Sequence, residues 1–329
     1  MLYDNHGRKI NYLRLAVTDR CNLRCFYCMP EEGIEFVRRQ DLLSYEEMER
    51  IVRVFAGLGI NKLRLTGGEP FVRKGLMDFL WKLSAIDGLD DLHLTTNGTL
   101  TAKLVPDLKA LGISSVNLSI DSLDADRFKA ITRRDSYDQV METFHQLLEH
   151  GVHTKLNTVV MHGRNIEDIT SIIELTKDRA ISVRFLEEMP FNGTGKKTVT
   201  QVWTQVDILN HIKETYPGLI KLQDPPHSTS QNYQVPGYKG SVGIIASYSR
   251  LFCGTCNRIR ITPTGTLKTC LYDNGVFNIK NMLRAGANDE DIQNTLIEAL
   301  GNRAKDGFEA EGRRPLNNDI SESMATIGG

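Results

Sequence analysis

The chain has 329 residues, 40% hydrophobic and 25% charged, enough to bury one large core or a core with an appended module. Its formal net charge of −1 excludes the strongly basic surface of a protein that coats nucleic acid or anionic membrane, so neither is expected as a partner. The opening MLYDNHGRKINYLRLAV lacks the uninterrupted apolar run of a signal peptide or a membrane span, which makes the cytoplasm the expected location.

In chain order, apolar or alternating runs predict strands at 12–18, 62–66, 91–97, 115–121, 153–161 and 181–189. A capping box, Ser44 to Glu47, opens a helix whose apolar face is Met48, Ile51, Val52, Phe55 and Leu58. Further helices are expected near 76–86, 101–110, 137–150 and 167–177. Strand and helix alternating in this way imply a parallel sheet wound in one direction.

The strand faces choose between an open sheet and a barrel. By the two-residue period, Leu13, Leu15 and Val17 oppose Arg14, Ala16 and Thr18, and Leu63 and Leu65 oppose Arg64 and Thr66. The same split sets His93, Thr95 and Asn97, then Asn117, Ser119 and Asp121, then Lys155 and Asn157, then Arg184, on the polar side. Strands covered by helices on both faces are apolar on both sides, and these are not. The fold class is therefore α/β, a partial, six-stranded parallel β/α barrel with a polar lumen.

From about residue 190 the pattern changes, with GTGKKT and then QDPPHSTSQNYQVPGYKG. A barrel over 1–220 and a C-terminal module over 221–329 are expected. The module carries RIRIT at 258–262, a helix at 289–300 and a Gly-Gly tail.

All six cysteines fall in two triplets, Cys21, Cys25 and Cys28, then Cys253, Cys256 and Cys270. In a reducing compartment such clusters are more often metal ligands than disulfides. A structural zinc ion takes four protein ligands, whereas a four-iron cubane on three thiolates keeps one iron open to a small molecule. Spacing alone leaves both open: an iron–sulfur cluster, or zinc completed by a distant His.

The stretch TDRCNLRCFYC at 18–28, followed by LTGGEP at 65–70, resembles the signature of the radical S-adenosylmethionine superfamily, whose fold is a partial barrel. The resemblance implies a [4Fe-4S] cluster on the first triplet whose open iron chelates S-adenosylmethionine. One electron then releases a 5′-deoxyadenosyl radical. It also implies that Gly67, Gly68 and Glu69 meet the methionyl amino group, and that Tyr27, Ser119 and Met189 contact the same cofactor.

The stretch CGTCNRIRITPTGTLKTC at 253–270, with the terminal IGG, resembles the branch of that superfamily that cyclises GTP at the start of molybdenum cofactor biosynthesis. This implies a second [4Fe-4S] cluster on Cys253, Cys256 and Cys270, with GTP bound against its open iron. The strand faces already point Arg14, Arg64, Lys155 and Arg184 into the lumen, and Arg258 and Arg260 share one face of RIRIT. Six converging cations need an anion, since an unpaired buried charge costs several kcal/mol (order of magnitude). By resemblance Arg14, Arg64, Thr95, Lys155, Arg184, Arg258, Arg260 and the backbone of Ile259 hold GTP. Arg14, Arg258 and Arg260 act in catalysis with a tail, Gly328 and Gly329, narrow enough to enter the site.

The implied reaction abstracts the C3′ hydrogen of GTP, joins C3′ to C8, and gives (8S)-3′,8-cyclo-7,8-dihydroguanosine 5′-triphosphate. An electron donor such as flavodoxin or ferredoxin and a homodimer follow from the same resemblance. The alternatives are a peptide-modifying maturase of the same superfamily and, from another class, a zinc-stabilised nucleic-acid-binding protein.

Overall fold

The computed structural model describes residues 1–194, 201–315 and 322–328. Most of the GTGKKT segment, and Gly329, lie outside the described residues. Six strands run parallel and side by side in chain order: β1 (Tyr12–Ala16), β2 (Lys62–Thr66), β3 (Asp91–Thr96), β4 (Ser115–Ser119), β5 (Thr154–Val160) and β6 (Ser182–Glu187). The helices between them are α1 (Tyr45–Gly57), α2 (Leu76–Ser84), α3 (Val105–Ala110), α4 (Ala125–Thr132), α5 (Tyr137–Glu149) and α6 (Asp168–Glu174).

The later chain continues this sheet at both edges. After α7 (Gln205–Thr215), strand β9 (Ser241–Ile245) pairs in parallel with β6, and β8 (Ser230–Gln234) and β7 (Ile220–Lys221) follow it antiparallel. On the other side β10 (Arg258–Ile261) pairs in parallel with β1, then β11 (Thr266–Lys268) and β12 (Phe277–Asn278) follow antiparallel. The resulting order puts twelve strands in one sheet whose outermost members, β12 and β7, are not paired to each other among the described residues. The expected barrel strands are thus joined by two more parallel ones from the C-terminal segment.

The period-2 pattern explains which way the sheet faces. Leu13, Leu15, Leu63, Leu65, Leu94, Leu118, Val183 and Phe185 are fully buried against the helices, each worth about 1.5–3 kcal/mol relative to exposure. α1 begins with the expected capping box: Glu47 N–H donates to Ser44 Oγ at 3.1 Å and Ser44 N–H to the Glu47 carboxylate at 2.7 Å. α4 is a helix the periodicity reading passes over. Asp124 caps it, accepting from Arg127 N–H at 2.8 Å, and Phe128 and Ile131 bury its inner face. No helix among the described residues is long and apolar enough to cross a membrane.

Candidate active site

One cavity of about 450 Å³ is lined by side chains from all eight parallel strands, among them Tyr12 and Arg14 on β1, Lys62 and Arg64 on β2, Thr95 on β3, Asn117 and Ser119 on β4, Lys155 on β5, Arg184 on β6, Ile245 on β9, and Arg258 and Arg260 on β10. A single cavity touched by each of the eight parallel strands requires the sheet to curl around it. The first cysteine triplet lies at its mouth: Cys21, Cys25 and Cys28 line it together with Tyr27, Gly67, Gly68, Asp121 and Met189.

The cysteine loop is held by backbone contacts. Cys28 and Met29 N–H groups both donate to the Cys25 carbonyl, at 2.9 and 3.1 Å, and Arg24 and Phe26 N–H groups donate to Thr132 and Ile131 carbonyls at the end of α4. Gly67 and Gly68 explain how the loop reaches the sheet. A Cβ on Gly67, at φ +151°, would lie 2.5 Å from the Thr18 carbonyl oxygen, and one on Gly68 would run into the Arg20 carbonyl. Gly68 and Glu69 N–H groups donate to those two carbonyls at 2.9 and 2.8 Å. The glycines are therefore required first by the chain segment leading into Cys21, and only second by whatever enters the cavity.

The Glu69 side chain is turned away from the cavity. Its carboxylate is fully buried and does not line the cavity; it accepts from Thr96 Oγ1 at 2.8 Å, Asn97 N–H at 2.7 Å and Phe71 N–H at 3.1 Å. Burial outweighs these donors and pushes its pKa up to about 7. The side chain braces the ends of β2 and β3. Glu69→Ala strands three buried donors and should lower the stability of the metal-free chain by about 3 kcal/mol, read from urea denaturation, with Glu69→Gln losing less.

Tyr27 is anchored by Asp121, its hydroxyl donating at 2.8 Å, while Val159 N–H donates to the other carboxylate oxygen at 2.9 Å. Burial pushes Asp121 up to about 6. Burial likewise raises Cys25, with Asp121 adding to it, and raises Cys21 to about 12, with Cys28 and Glu69 adding to it.

The cavity floor is strongly cationic. Seven Lys and Arg side chains line it against two carboxylates, Asp121 and Glu187. Burial and then Arg184 and Arg64 bring Lys155 down to about 8, and burial and then Arg64 bring Arg184 down to about 10. Tyr12, which burial alone would raise, is brought down to about 7 by Arg64 and Arg14; Arg64 Nε donates to its hydroxyl at 2.6 Å. Arg184 Nε is buried without a hydrogen-bond partner among the described residues. Lys62 and Tyr12 were not singled out from the sequence, although both lie in register with residues that were: Lys62 shares a face with Arg64, and Tyr12 with Arg14.

The second triplet borders the cavity without lining it; its neighbours Phe252, Asn257, Arg258 and Leu271 form the wall. Arg258 Nη2 and Arg303 Nη2 approach Cys256 Sγ at 3.4 and 3.2 Å. Burial raises this thiol, yet Arg258 and Arg303 outweigh it and bring Cys256 down to about 6. Burial holds Cys270 up at about 11. The Ile259 side chain is fully buried in the core, which leaves only its backbone for a ligand.

The C-terminal segment packs beside the cavity, which Met324 and Ala325 help to line. Ser323 Oγ donates to the Cys28 carbonyl at 2.8 Å, Met324 N–H to the Phe191 carbonyl at 3.0 Å, and the short helix α9 (Met324–Ile327) ends at Gly328. Arg260 Nη1 donates to the Gly328 carbonyl at 2.9 Å.

All six thiols are free, and among the described residues no three His, Cys, Asp or Glu side chains are gathered to hold a single metal ion. Three thiols without a fourth protein ligand are the donor set of a cubane with one iron left for a small molecule; both triplets supply that donor set, and the first also lines the cavity.

Comparison with known proteins agrees. Residues 15–176 match the Radical SAM superfamily and residues 181–308 match Molybdenum Cofactor Synthesis C. A GTP 3′,8-cyclase from Syntrophomonas wolfei is 40% identical over 333 residues, covering 100% of both chains. The mitochondrial GTP 3′,8-cyclase of Arabidopsis thaliana is 40% identical over 91% of this chain and 77% of its own. Molybdenum cofactor biosynthesis protein 1 of Mus musculus is 40% identical over 92% of this chain, which spans only 48% of that relative's length. In fold, the chain is similar to Streptococcus suis SuiB (TM-score 0.62, 13% identity, 93% of this chain and 69% of that one) and to anSMEcpe with bound AdoMet (TM-score 0.56, 15% identity, 91% and 79%). With a full-length relative at this identity and both halves matched, the chain belongs to the radical S-adenosylmethionine superfamily and, within it, to the GTP 3′,8-cyclase family.

Proposed function

We propose that this chain converts GTP to (8S)-3′,8-cyclo-7,8-dihydroguanosine 5′-triphosphate in the first step of molybdenum cofactor biosynthesis. The observation that carries the reading is the cavity itself, in which seven cations face two carboxylates between one cysteine triplet at the mouth and another behind the wall. A triphosphate supplies the anionic charge that this floor lacks, and arginine forks suit its oxygens.

When bound, the first triplet's cluster and S-adenosylmethionine supply a primary carbon radical able to take hydrogen from C3′ of the ribose. The chain's own residues do the placing. Arg14, Arg64, Lys155 and Arg184 hold the phosphates, Thr95 lies beside Arg64, and Arg258, Arg260 and the Ile259 backbone orient the nucleoside toward the second triplet. Tyr27, fixed by Asp121, with Gly67, Gly68, Ser119 and Met189, seats S-adenosylmethionine. Gly328, whose carbonyl Arg260 holds, leads the tail to the remaining side, where it would keep water from a radical that reacts with whatever lies nearest. The flavodoxin or ferredoxin donor, the homodimer and the cytoplasmic location belong to the same reading and rest on the family resemblance and the sequence.

Isothermal titration of GTP into the anaerobically reconstituted protein tests this. Measurable affinity at pH 7 is expected, and absence of GTP binding moves the reading to a peptide-modifying enzyme. Affinity should also fall as pH rises. Below about pH 8 Lys155 carries its proton; above it the free protein has lost that charge, so binding must recruit a proton, approaching about tenfold weaker per pH unit. Ionisation of Tyr12 above about pH 7 places a negative charge among the arginines and acts in the same direction. Lys155→Met should bind more weakly at pH 7 and show a shallower pH dependence.

A further inference from the structure

Arg303 lies just beyond α8 (Asp289–Gly301), and nothing in its sequence surroundings marks it. Its side chain is 3% exposed, and its guanidinium has five acceptors. Nε donates to the Thr269 carbonyl at 3.0 Å, Nη1 to Asp4 Oδ2 at 3.0 Å and the Cys256 carbonyl at 3.0 Å, and Nη2 to Cys256 Sγ at 3.2 Å and the Arg258 carbonyl at 2.9 Å. Asp4 is itself held by Arg8, whose Nε donates to Oδ2 at 2.6 Å while its Nη1 donates to the Cys253 carbonyl at 3.0 Å. One buried Arg–Asp–Arg triad therefore touches Cys253, Cys256 and the residue before Cys270.

The charge balance of this triad is incomplete. Two guanidinium groups and one carboxylate leave one positive charge, buried beside a thiol, and Arg258 adds another cation 3.4 Å from the same sulfur. Such an excess is costly unless an anion sits there. A cubane on three thiolates carries net negative charge, and more when reduced. Among the described residues no cation donates to a sulfur of the first triplet: its donors are neutral, among them the Asn97 amide, 3.7 Å from Cys21, and the Ser323 hydroxyl, 3.8 Å from Cys28. Hydrogen bonds and positive charge at a ligand sulfur favour the reduced, more negative cluster.

We propose that Arg303, braced by Asp4, is the positioning residue of the second cysteine triplet: its fork on Cys256 fixes that ligand and sets the reduction potential of the second cluster above that of the first. The inference rests on the two-cluster reading and deepens it. The two triplets are then unequal in their surroundings, the first with neutral donors and Asp121 and Glu69 nearby, the second with Asp273 and Asp306 nearby but two guanidinium groups on Cys256, so that the cluster at the mouth remains the stronger reductant.

The test is an anaerobic redox titration followed by electron paramagnetic resonance on the reconstituted full chain, comparing the unaltered protein with Arg303→Gln and Arg303→Lys. The second cluster of the unaltered protein should reduce at the higher potential. In Arg303→Gln its midpoint should shift downward while that of the first stays in place; Arg303→Lys, which keeps the charge and loses the fork, should fall between. Loss of the second cluster's iron alone, with the first signal and its response to S-adenosylmethionine retained, also supports the assignment. Two unchanged midpoints at full iron content overturn it, as does loss of both clusters together, which makes Arg303 a general folding residue. A second cluster missing from the unaltered protein refutes the two-cluster reading instead, and iron counts of about four per triplet separate the cases.

Discussion

Gly328→Ala is expected to abolish conversion of GTP while both clusters stay loaded and S-adenosylmethionine is still cleaved without product. Gly328 has φ +76°, a left-handed conformation that costs a side-chain-bearing residue about 1–2 kcal/mol. The added methyl would also lie 2.6 Å from Thr66 Oγ1 and 2.8 Å from Ala16 Cβ. Both belong to paired central strands of the sheet, so the neighbours cannot yield and the tail must lift. Lifting it frees Arg260, whose Nη1 now holds the Gly328 carbonyl. Displacement of such a group by an ångström costs on the order of a hundredfold in rate. Appending one residue after Gly329 should have the same effect. Chromatography of 5′-deoxyadenosine and of the cyclised nucleotide, run side by side, reads both activities; unchanged turnover would take the tail out of the site.

The second large effect separates the two triplets. Cys25→Ser should eliminate 5′-deoxyadenosine formation altogether, because Cys25 lies on the cavity wall and a serine hydroxyl is a poor ligand for iron in place of a soft thiolate. Cys270→Ser should leave uncoupled cleavage intact and remove GTP conversion. The loop around Cys270 is secured independently of its sulfur, since Thr269 and Cys270 N–H groups both donate to Asp273 Oδ2 at 2.8 Å. A serine there therefore keeps its backbone position. Equal loss of both activities in both variants contradicts the division of labour.

The barrel strands and their polar face were legible because alternation is a local property: each of Arg14, Arg64, Thr95, Lys155 and Arg184 is assigned by its immediate neighbours. The same locality hid other features. Glu69 reads as a ligand-facing residue at a glycine turn, and only the proximity of Thr96 and Asn97, brought in by β3, turns it inward. Strand β9, with Gly243 in its middle, has too weak a pattern to stand out, and is defined by pairing with β6. Arg303 meets Asp4 from the far end of the chain, a separation at which no periodicity or spacing rule operates.

That pairing of distant segments has a consequence for biogenesis. Strand β1 borders β10 on one side, and the latter is made long after it. Translation at about 5–20 residues per second puts on the order of tens of seconds between them, during which β1 presents an unpaired edge to the crowded interior of the cell. Asp4 waits longer still for Arg303, and Arg8 for the Ala304 carbonyl. The first thiol loop is thus synthesised while the second still lacks its buttress, so the two triplets are expected to become competent to hold a cluster in sequence, N-terminal before C-terminal.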